Sequence, residues 1–347
     1  MPACQPLRRP ARHRVCARAY NAVDMQKKVS MMAAMVLEGG LPPWVPTCCI
    51  PKVAAPVATA LPDLGPGSVE MVAPEASLRG VVVYAHGLSD GPPSIAQVLE
   101  TLATRGFIVV APSFGDDDSN GIDPLLEGGF QNLPAQHVRR IERMEAAITF
   151  ARTQFGTRLP LSLMGYSTGT DTIRQMPIAA PRIYIAGPGW QDKISGQQIA
   201  SQTPGGPALL LFAAPDAEMV RFGFDADYAT QVALGSTDGA VQVKPSEGSD
   251  WDAFRAKFLQ QLPPLALGTK AAHLRVELPG FAHSSFKHPP FAASENRAWS
   301  VLLCGTNPWD LPCLGGGAAG PSPQVKQERA DAVATIVADW MLAAVGS

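Results

Sequence analysis

Leu161-Ser-Leu-Met-Gly165-Tyr166-Ser167-Thr168-Gly169-Thr170 decides the fold of this chain: an apolar run, a serine between two glycines, then residues compatible with a helix. That is the order of a strand, a sharp turn and a helix, in which the serine is held strained with its Oγ exposed. Gly165 and Gly169 are required because the turn is so tight that a Cβ at either position would meet neighbouring backbone. A serine so placed is a nucleophile awaiting a base.

Outward from this turn the chain alternates strand and helix. Residues 79–85 read as a buried strand, 93–105 as a helix with Ile95, Val98, Leu99 and Leu102 on one face, and 107–111 as the next strand. Over 134–155 the apolar positions Ile141, Met144, Ile148, Ala151 and Phe155 fall three or four apart and predict a helix with one continuous stripe. Beyond Ser167, strands are expected at 182–186, 208–213 and 273–278, and a final helix at 324–344. Short, almost wholly apolar strands separated by helices imply an α/β fold, a mostly parallel central sheet with helices on both faces.

Candidate partners for Ser167 can be sought by role. Of the six histidines, His13 lies in the basic N-terminus, His137 opens a helix, His273 starts a strand, and His288 sits in a proline-flanked loop. His86, in the turn His86-Gly87-Leu88, reads as a buried structural residue. His283 follows the strand ending at 278, on the carboxyl edge where the sites of open α/β sheets gather, and is the candidate base. Its protonation predicts a fall in activity below about pH 6. Asp216 follows the strand 208–213 and gives the order Ser167, Asp216, His283 expected with such a turn. An aspartate after a proline also serves a turn, and Asp225 and Asp227 are rival acids. The backbone N–H groups of Leu88 and Thr168 are the candidate oxyanion donors. This chemistry calls for no cofactor and no metal.

The 28 basic and 30 acidic residues leave a formal charge of −2, with no field to draw nucleic acid and no basic stripe interleaved with aromatics. No apolar run approaches the ~20 residues needed to span a bilayer, so no transmembrane segment is expected, while peripheral membrane contact stays open. Residues 68–347 suffice for one catalytic domain. Over 1–23 five arginines precede the first acid, Asp24, which marks a targeting leader without the apolar core of a secretory signal. Its Val15-Cys-Ala-Arg-Ala19 resembles the processing sites of green-algal plastid transit peptides, so a chloroplast location is expected; a mitochondrial leader or a basic tail on a cytoplasmic protein are the alternatives. The proline-rich 24–67 reads as an extension wrapping the domain edge.

The six cysteines make no disulfide framework: Cys304 and Cys313 are either a pair or two free thiols, and no Cys/His spacing suggests zinc. Residues 116–127, from Asp116 to Glu127, satisfy a calcium-loop pattern. A strand rather than a helix precedes them, and Asp123 stands at a normally apolar position, so they read as an acidic loop at the site. The stretch 217–272 exceeds an ordinary connection and reads as a lid-like insertion. Within it Trp251, Phe254 and Phe258 recur at helical spacing, either as core or as the cover of an apolar pocket.

At these residues the chain resembles the α/β-hydrolase superfamily, and within it the chlorophyllases and the related platelet-activating-factor acetylhydrolases, over most of 81–344. The specific portion is Tyr84-Ala-His-Gly-Leu88 with Thr104-Arg-Gly-Phe-Ile-Val-Val-Ala-Pro112, similar to the first strand turn and the S-H-G-F-I-V-x-A-P segment of chlorophyllases. Two positions depart. Plant chlorophyllases read G-H-S-R-G-G at the serine, where this chain has Tyr166, Thr168 and Thr170, and both families carry their acid after the strand that here runs Tyr184-Ile-Ala-Gly-Pro188, without a carboxylate. The resemblance therefore moves the acid to Asp216, as in dienelactone-hydrolase-like enzymes. It implies a serine ester hydrolase forming an acyl-enzyme on a small apolar ester. The phytyl ester of chlorophyll is the first candidate, giving chlorophyllide and phytol, and carboxylesterase or phospholipase action on lipid esters is the second. A non-catalytic hydrolase fold used as a binding module is the alternative of a different class.

Overall fold

The computed structural model describes residues 55–345 apart from 65–67, 74–76, 89, 115–132, 197, 200–205, 215, 245–250, 261, 263–272, 280, 282 and 288–322. The basic leader, most of the proline-rich extension, the calcium-like loop, Cys304 and Cys313 lie outside the described residues.

Nine strands among the described residues form one sheet: β1 (Val57–Ala60), β2 (Val69–Val72), β3 (Gly80–Ala85), β4 (Phe107–Ala111), β5 (Leu161–Tyr166), β6 (Arg182–Ile185), β7 (Ala208–Ala214), β8 (Val241–Val243) and β9 (His273–Pro279). Their order across the sheet is β1-β2-β4-β3-β5-β6-β7-β9-β8. From β4 to β8 every pairing is parallel. Every residue of β3, β4, β5 and β6 is buried, which is why these strands read as mostly apolar runs and not as alternating ones, with Ser162 and Arg182 the polar exceptions.

Helices cover both faces. On one side α1 (Ala96–Thr104), α7 (Trp251–Gln260) and α8 (Pro323–Val345) bury Val98, Leu102, Phe254, Phe258, Val333 and Trp340 against the sheet. On the other, α2 (Leu133–Phe155), α3 (Thr168–Arg174), α4 (Trp190–Ser195), α5 (Ala217–Arg221) and α6 (Ala226–Leu234) bury Met144, Ala151, Ile173, Trp190, Met219 and Ala229. Phe254 and Phe258 are therefore core side chains, packed in the same cluster as Trp340 of α8. Deleting a ring so buried costs about 3–5 kcal/mol.

The two ends of the sheet differ from the middle. Val57–Ala60, inside the stretch read as an extension, is exposed at each residue and pairs antiparallel with β2, which pairs antiparallel with β4. Pro56 and Pro62 flank β1, as suits an edge strand whose outer N–H groups face no partner strand. At the opposite edge the three residues of β8 run parallel to β9, so the region after Asp216 contributes to the sheet itself.

The order β4-β3-β5 places the switch in winding direction at β3. In open sheets of this kind the crevice beyond the carboxyl ends at such a point is where ligands bind. The turns after β3, β5, β7 and β9 carry His86 to Leu88, Ser167, Asp216 and His283 respectively, all on that edge.

Candidate active site

Ser167 stands between β5 and α3 with φ 51° and ψ −126°, a positive φ that a residue with a Cβ adopts only when its surroundings enforce it. The enforcement is local. A Cβ on Gly165 would lie 2.6 Å from the carbonyl of Gly169, and one on Gly169 would lie 2.1 Å from the carbonyl oxygen of Ala85. Both positions exclude any side chain, so the glycines of the motif are there for space. Thr170 Oγ1 donates to the Ser167 carbonyl oxygen and closes the turn from the helix side.

His283 Nε2 lies 3.0 Å from Ser167 Oγ, and its Nδ1 lies 2.9 Å from Asp216 Oδ2. With Asp216 ionised, Nδ1 carries the proton and donates to the carboxylate, leaving the Nε2 lone pair to accept from the serine hydroxyl. Asp216 serves a turn as well: its Oδ1 accepts from the N–H groups of Glu218 and Met219, each at 3.1 Å, capping the start of α5. The two readings of this residue are compatible because a carboxylate has two oxygens. The rival acids are engaged elsewhere. Asp225 caps α6 through Tyr228 N–H at 2.9 Å, and Asp227 pairs with Arg275; both are exposed.

Side chains from neighbouring elements fix the imidazole. Tyr166 Oη donates to the His283 carbonyl oxygen at 3.0 Å, and the two rings lie 5.4 Å apart. The edge of Trp190 meets His283 at 4.9 Å between centroids, and Trp190 is itself anchored by Nε1 donating to Ala186 O at 2.8 Å. Beyond the histidine, Lys287 forms a buried ion pair with Asp90. A second buried group holds the segment bearing Trp190. Arg174 contacts Asp171 at 3.0 Å and Asp192 at 2.7 Å, while Asp171 accepts from the N–H groups of Gly189 and Gln191, both at 2.9 Å.

The electrostatics separate His283 from the other histidines. Burial holds His137 at about 3, with Arg140 and Arg174 adding to the effect, and burial also pushes His273 down. Burial would lower His283 too, but the carboxylates of Glu218 and Asp216 outweigh it and raise the imidazole above its ordinary 6.5. Glu218 Oε2 lies 3.7 Å from Nε2, and burial raises its own carboxyl. His86 is fully buried, its Nδ1 2.8 Å from Gly87 O and its Nε2 3.2 Å from Phe114 N, contacts that tie the turn after β3 to the segment after β4.

The register Ala85↔Gly165 sets the turn bearing Leu88 beside the one bearing Thr168, so both candidate oxyanion donors follow neighbouring parallel strands. A cavity of about 380 Å³ opens beside Asp216, lined by Met219, Asp227, Lys244, Arg275 and Glu277 among others; its lining includes neither Ser167 nor His283. Sequence reasoning passed over Glu218, Tyr166 and Trp190. Tyr166 carried a signal, because it occupies a departing position beside the serine; Glu218 and Trp190 carried none that spacing could supply.

No family model matches the sequence, and no curated protein matches it. Solved structures of similar shape include TT1662 from Thermus thermophilus, at 16% identity over 66% of this chain and 90% of that one, with a TM-score of 0.39. They also include a dienelactone hydrolase from Anabaena variabilis, at 14% identity over 83% and 98% with a TM-score of 0.38. A cold-adapted esterase from an Arctic intertidal metagenomic library shows 20% identity over 69% and 83%, with a TM-score of 0.35. Scores this low add no weight of their own. The strand order, the strained serine between β5 and α3 and the ordered turns at the carboxyl edge define an α/β-hydrolase fold.

Proposed function

We propose that the chain is a serine ester hydrolase. The observation that carries this reading is the continuous relay from Ser167 Oγ to His283 Nε2 at 3.0 Å and from Nδ1 to Asp216 Oδ2 at 2.9 Å, on a serine held at positive φ. Ser167 Oγ attacks the ester carbonyl carbon while its proton passes to Nε2; Asp216 stabilises the imidazolium that forms. The backbone N–H groups of Leu88 and Thr168 receive the tetrahedral oxyanion. Collapse expels the alcohol, which takes the proton from Nε2, and leaves an acyl-serine. Water, deprotonated by His283, then releases the acid and restores the enzyme.

The substrate class is a neutral apolar ester, and its first candidate is the phytyl ester of chlorophyll. The chlorophyllase-like segments around His86 and 104–112 support that choice, as does the plastid-like leader, which makes a chloroplast the proposed location. The test pairs two assays on the mature protein. A fluorophosphonate probe labels the wild type and fails to label Ser167→Ala; an unlabelled wild type would leave only a binding module. Side by side, chlorophyll a and short p-nitrophenyl esters are offered, and release of chlorophyllide is the expected result. Turnover of the short esters alone would instead support an acetylhydrolase-like enzyme.

A further inference from the structure

We propose that Glu218 is a positioning residue that competes with Ser167 for His283 Nε2 and so sets the acid side of the activity profile. This rests on the ester-hydrolase reading above. In the structure Nε2 faces two oxygens: Ser167 Oγ at 3.0 Å and Glu218 Oε2 at 3.7 Å. A neutral imidazole offers only its Nε2 lone pair to this side, and a lone pair can accept from the serine hydroxyl but makes nothing with a carboxylate. Once Nε2 is protonated the preference reverses, because an N–H bond to an anionic oxygen is about twice as strong as one to a neutral hydroxyl. Glu218 therefore has no hold on the resting base and a modest attraction, across 3.7 Å, for its protonated form.

The placement of Glu218 is built. Asp216, which orients the imidazole through Oδ2, also accepts the Glu218 N–H through Oδ1, so one carboxylate fixes both the histidine and the backbone of its second acid. The Glu218 side chain is 13% exposed, which keeps its charge poorly screened. The other charges facing His283 do not cancel it: Asp216 lies on the opposite ring nitrogen, and Lys287 is paired to Asp90, while Tyr166, Trp190 and Ser167 are neutral. His283 and Glu218 are each pushed up by this environment, in keeping with the geometry.

Two consequences follow from a carboxylate at this point. The imidazolium formed as Ser167 attacks is stabilised, which assists acylation at neutral and alkaline pH. As pH falls, the same stabilisation takes the base out of use sooner, because a protonated Nε2 held by Glu218 cannot accept the serine proton. Glu218→Gln removes both effects in opposite directions. Its plateau rate falls, and its acid limb moves to lower pH.

The experiment measures kcat/KM on a neutral p-nitrophenyl ester and the rate of fluorophosphonate labelling across the pH range, for wild type, Glu218→Gln and Glu218→Asp, with thermal melts to verify folding. Relative to its own plateau, Glu218→Gln is expected to retain at least about threefold more activity than wild type on the acid limb, the modest size of a partly solvated charge at this distance. Glu218→Asp keeps the charge on a shorter arm and should fall between the two. An acid limb in Glu218→Gln that coincides with wild type, in a protein that melts normally, would overturn the role of Glu218 and leave the hydrolase reading intact. So would equal displacement in Glu218→Asp and Glu218→Gln, since shape and not charge would then be responsible. Labelling that persists in Ser167→Ala would strike at the hydrolase reading itself, independently of how Glu218 behaves.

Discussion

Two buried acid clusters flank the serine turn, and they differ in the cation they hold. Asp171 and Asp192 close on Arg174, a guanidinium that is charged at every accessible pH, and the Asp171 carboxylate also takes two backbone N–H groups, Gly189 on Oδ1 and Gln191 on Oδ2. Asp216 and Glu218 close on His283, a group that is a cation only while both ring nitrogens carry a proton. The first arrangement can only be complete, and it holds Trp190 and the turn after β6 in place. The second is complete only when the imidazole carries a proton on both nitrogens, and in the proposed mechanism Ser167 supplies that proton. Burial with a permanent partner builds structure; burial with a titratable one builds reactivity.

Substitutions can test this division, beginning with the largest effect. Ser167→Ala should fold as wild type and lower turnover on the order of 10⁶-fold, because nothing else in the relay can form the acyl-enzyme; substantial residual ester turnover would remove the assignment. Asp216→Asn should lower kcat by about 10⁴-fold with little change in melting temperature, since an amide still caps α5 but favours the wrong tautomer and cannot stabilise the imidazolium.

In the other cluster the order is reversed. Asp171→Asn leaves Arg174 short of one buried carboxylate and should cost about 3 kcal/mol of stability in chemical denaturation, while the protein that remains folded keeps its kcat within a few-fold. If Asp171→Asn instead spared stability and abolished turnover, the contrast between the clusters would fail.

The pH profile sharpens the same contrast. The base works only when neutral, and the carboxylates of Glu218 and Asp216 raise His283 above 6.5, so activity should fall as pH drops through a value above 6.5 and not below about 6 as the sequence alone suggested. Glu218, which sequence spacing did not bring to the site, adds its charge to that of Asp216. An acid limb centred below pH 6 would show that burial, not the two carboxylates, dominates the imidazole. Smallest of all, Asp225→Asn and Asp227→Asn should change turnover by less than about threefold and stability by less than ~1 kcal/mol, since one is an exposed cap that asparagine also supplies and the other an exposed carboxylate whose partner Arg275 keeps Glu277.

The sequence by itself determined the sheet's centre and the turn that carries Ser167. Strands covered on both faces are mostly apolar, so β3 to β7 stood out as short runs of that kind, and the serine turn was legible because its geometry admits only glycine at 165 and 169. Ser167 and His283 followed from position at strand ends, and Asp216 from the order of the turns. Tertiary structure alone decided what depends on contacts between distant segments. The edge strands β1, β2 and β8 are too short to carry a pattern, since three or four residues take their register from the strand beside them. Phe254 and Phe258 satisfy a helical stripe whether it faces core or cover, and only packing beside α8 made them core. Two residues beyond Asp216, Glu218 reads as an ordinary helix-start acid, and only the return of the chain 65 positions later brings His283 within 3.7 Å of it (283 − 218 = 65). Local steric rules are written in neighbouring letters; a charge acquires its meaning from whatever the fold sets against it.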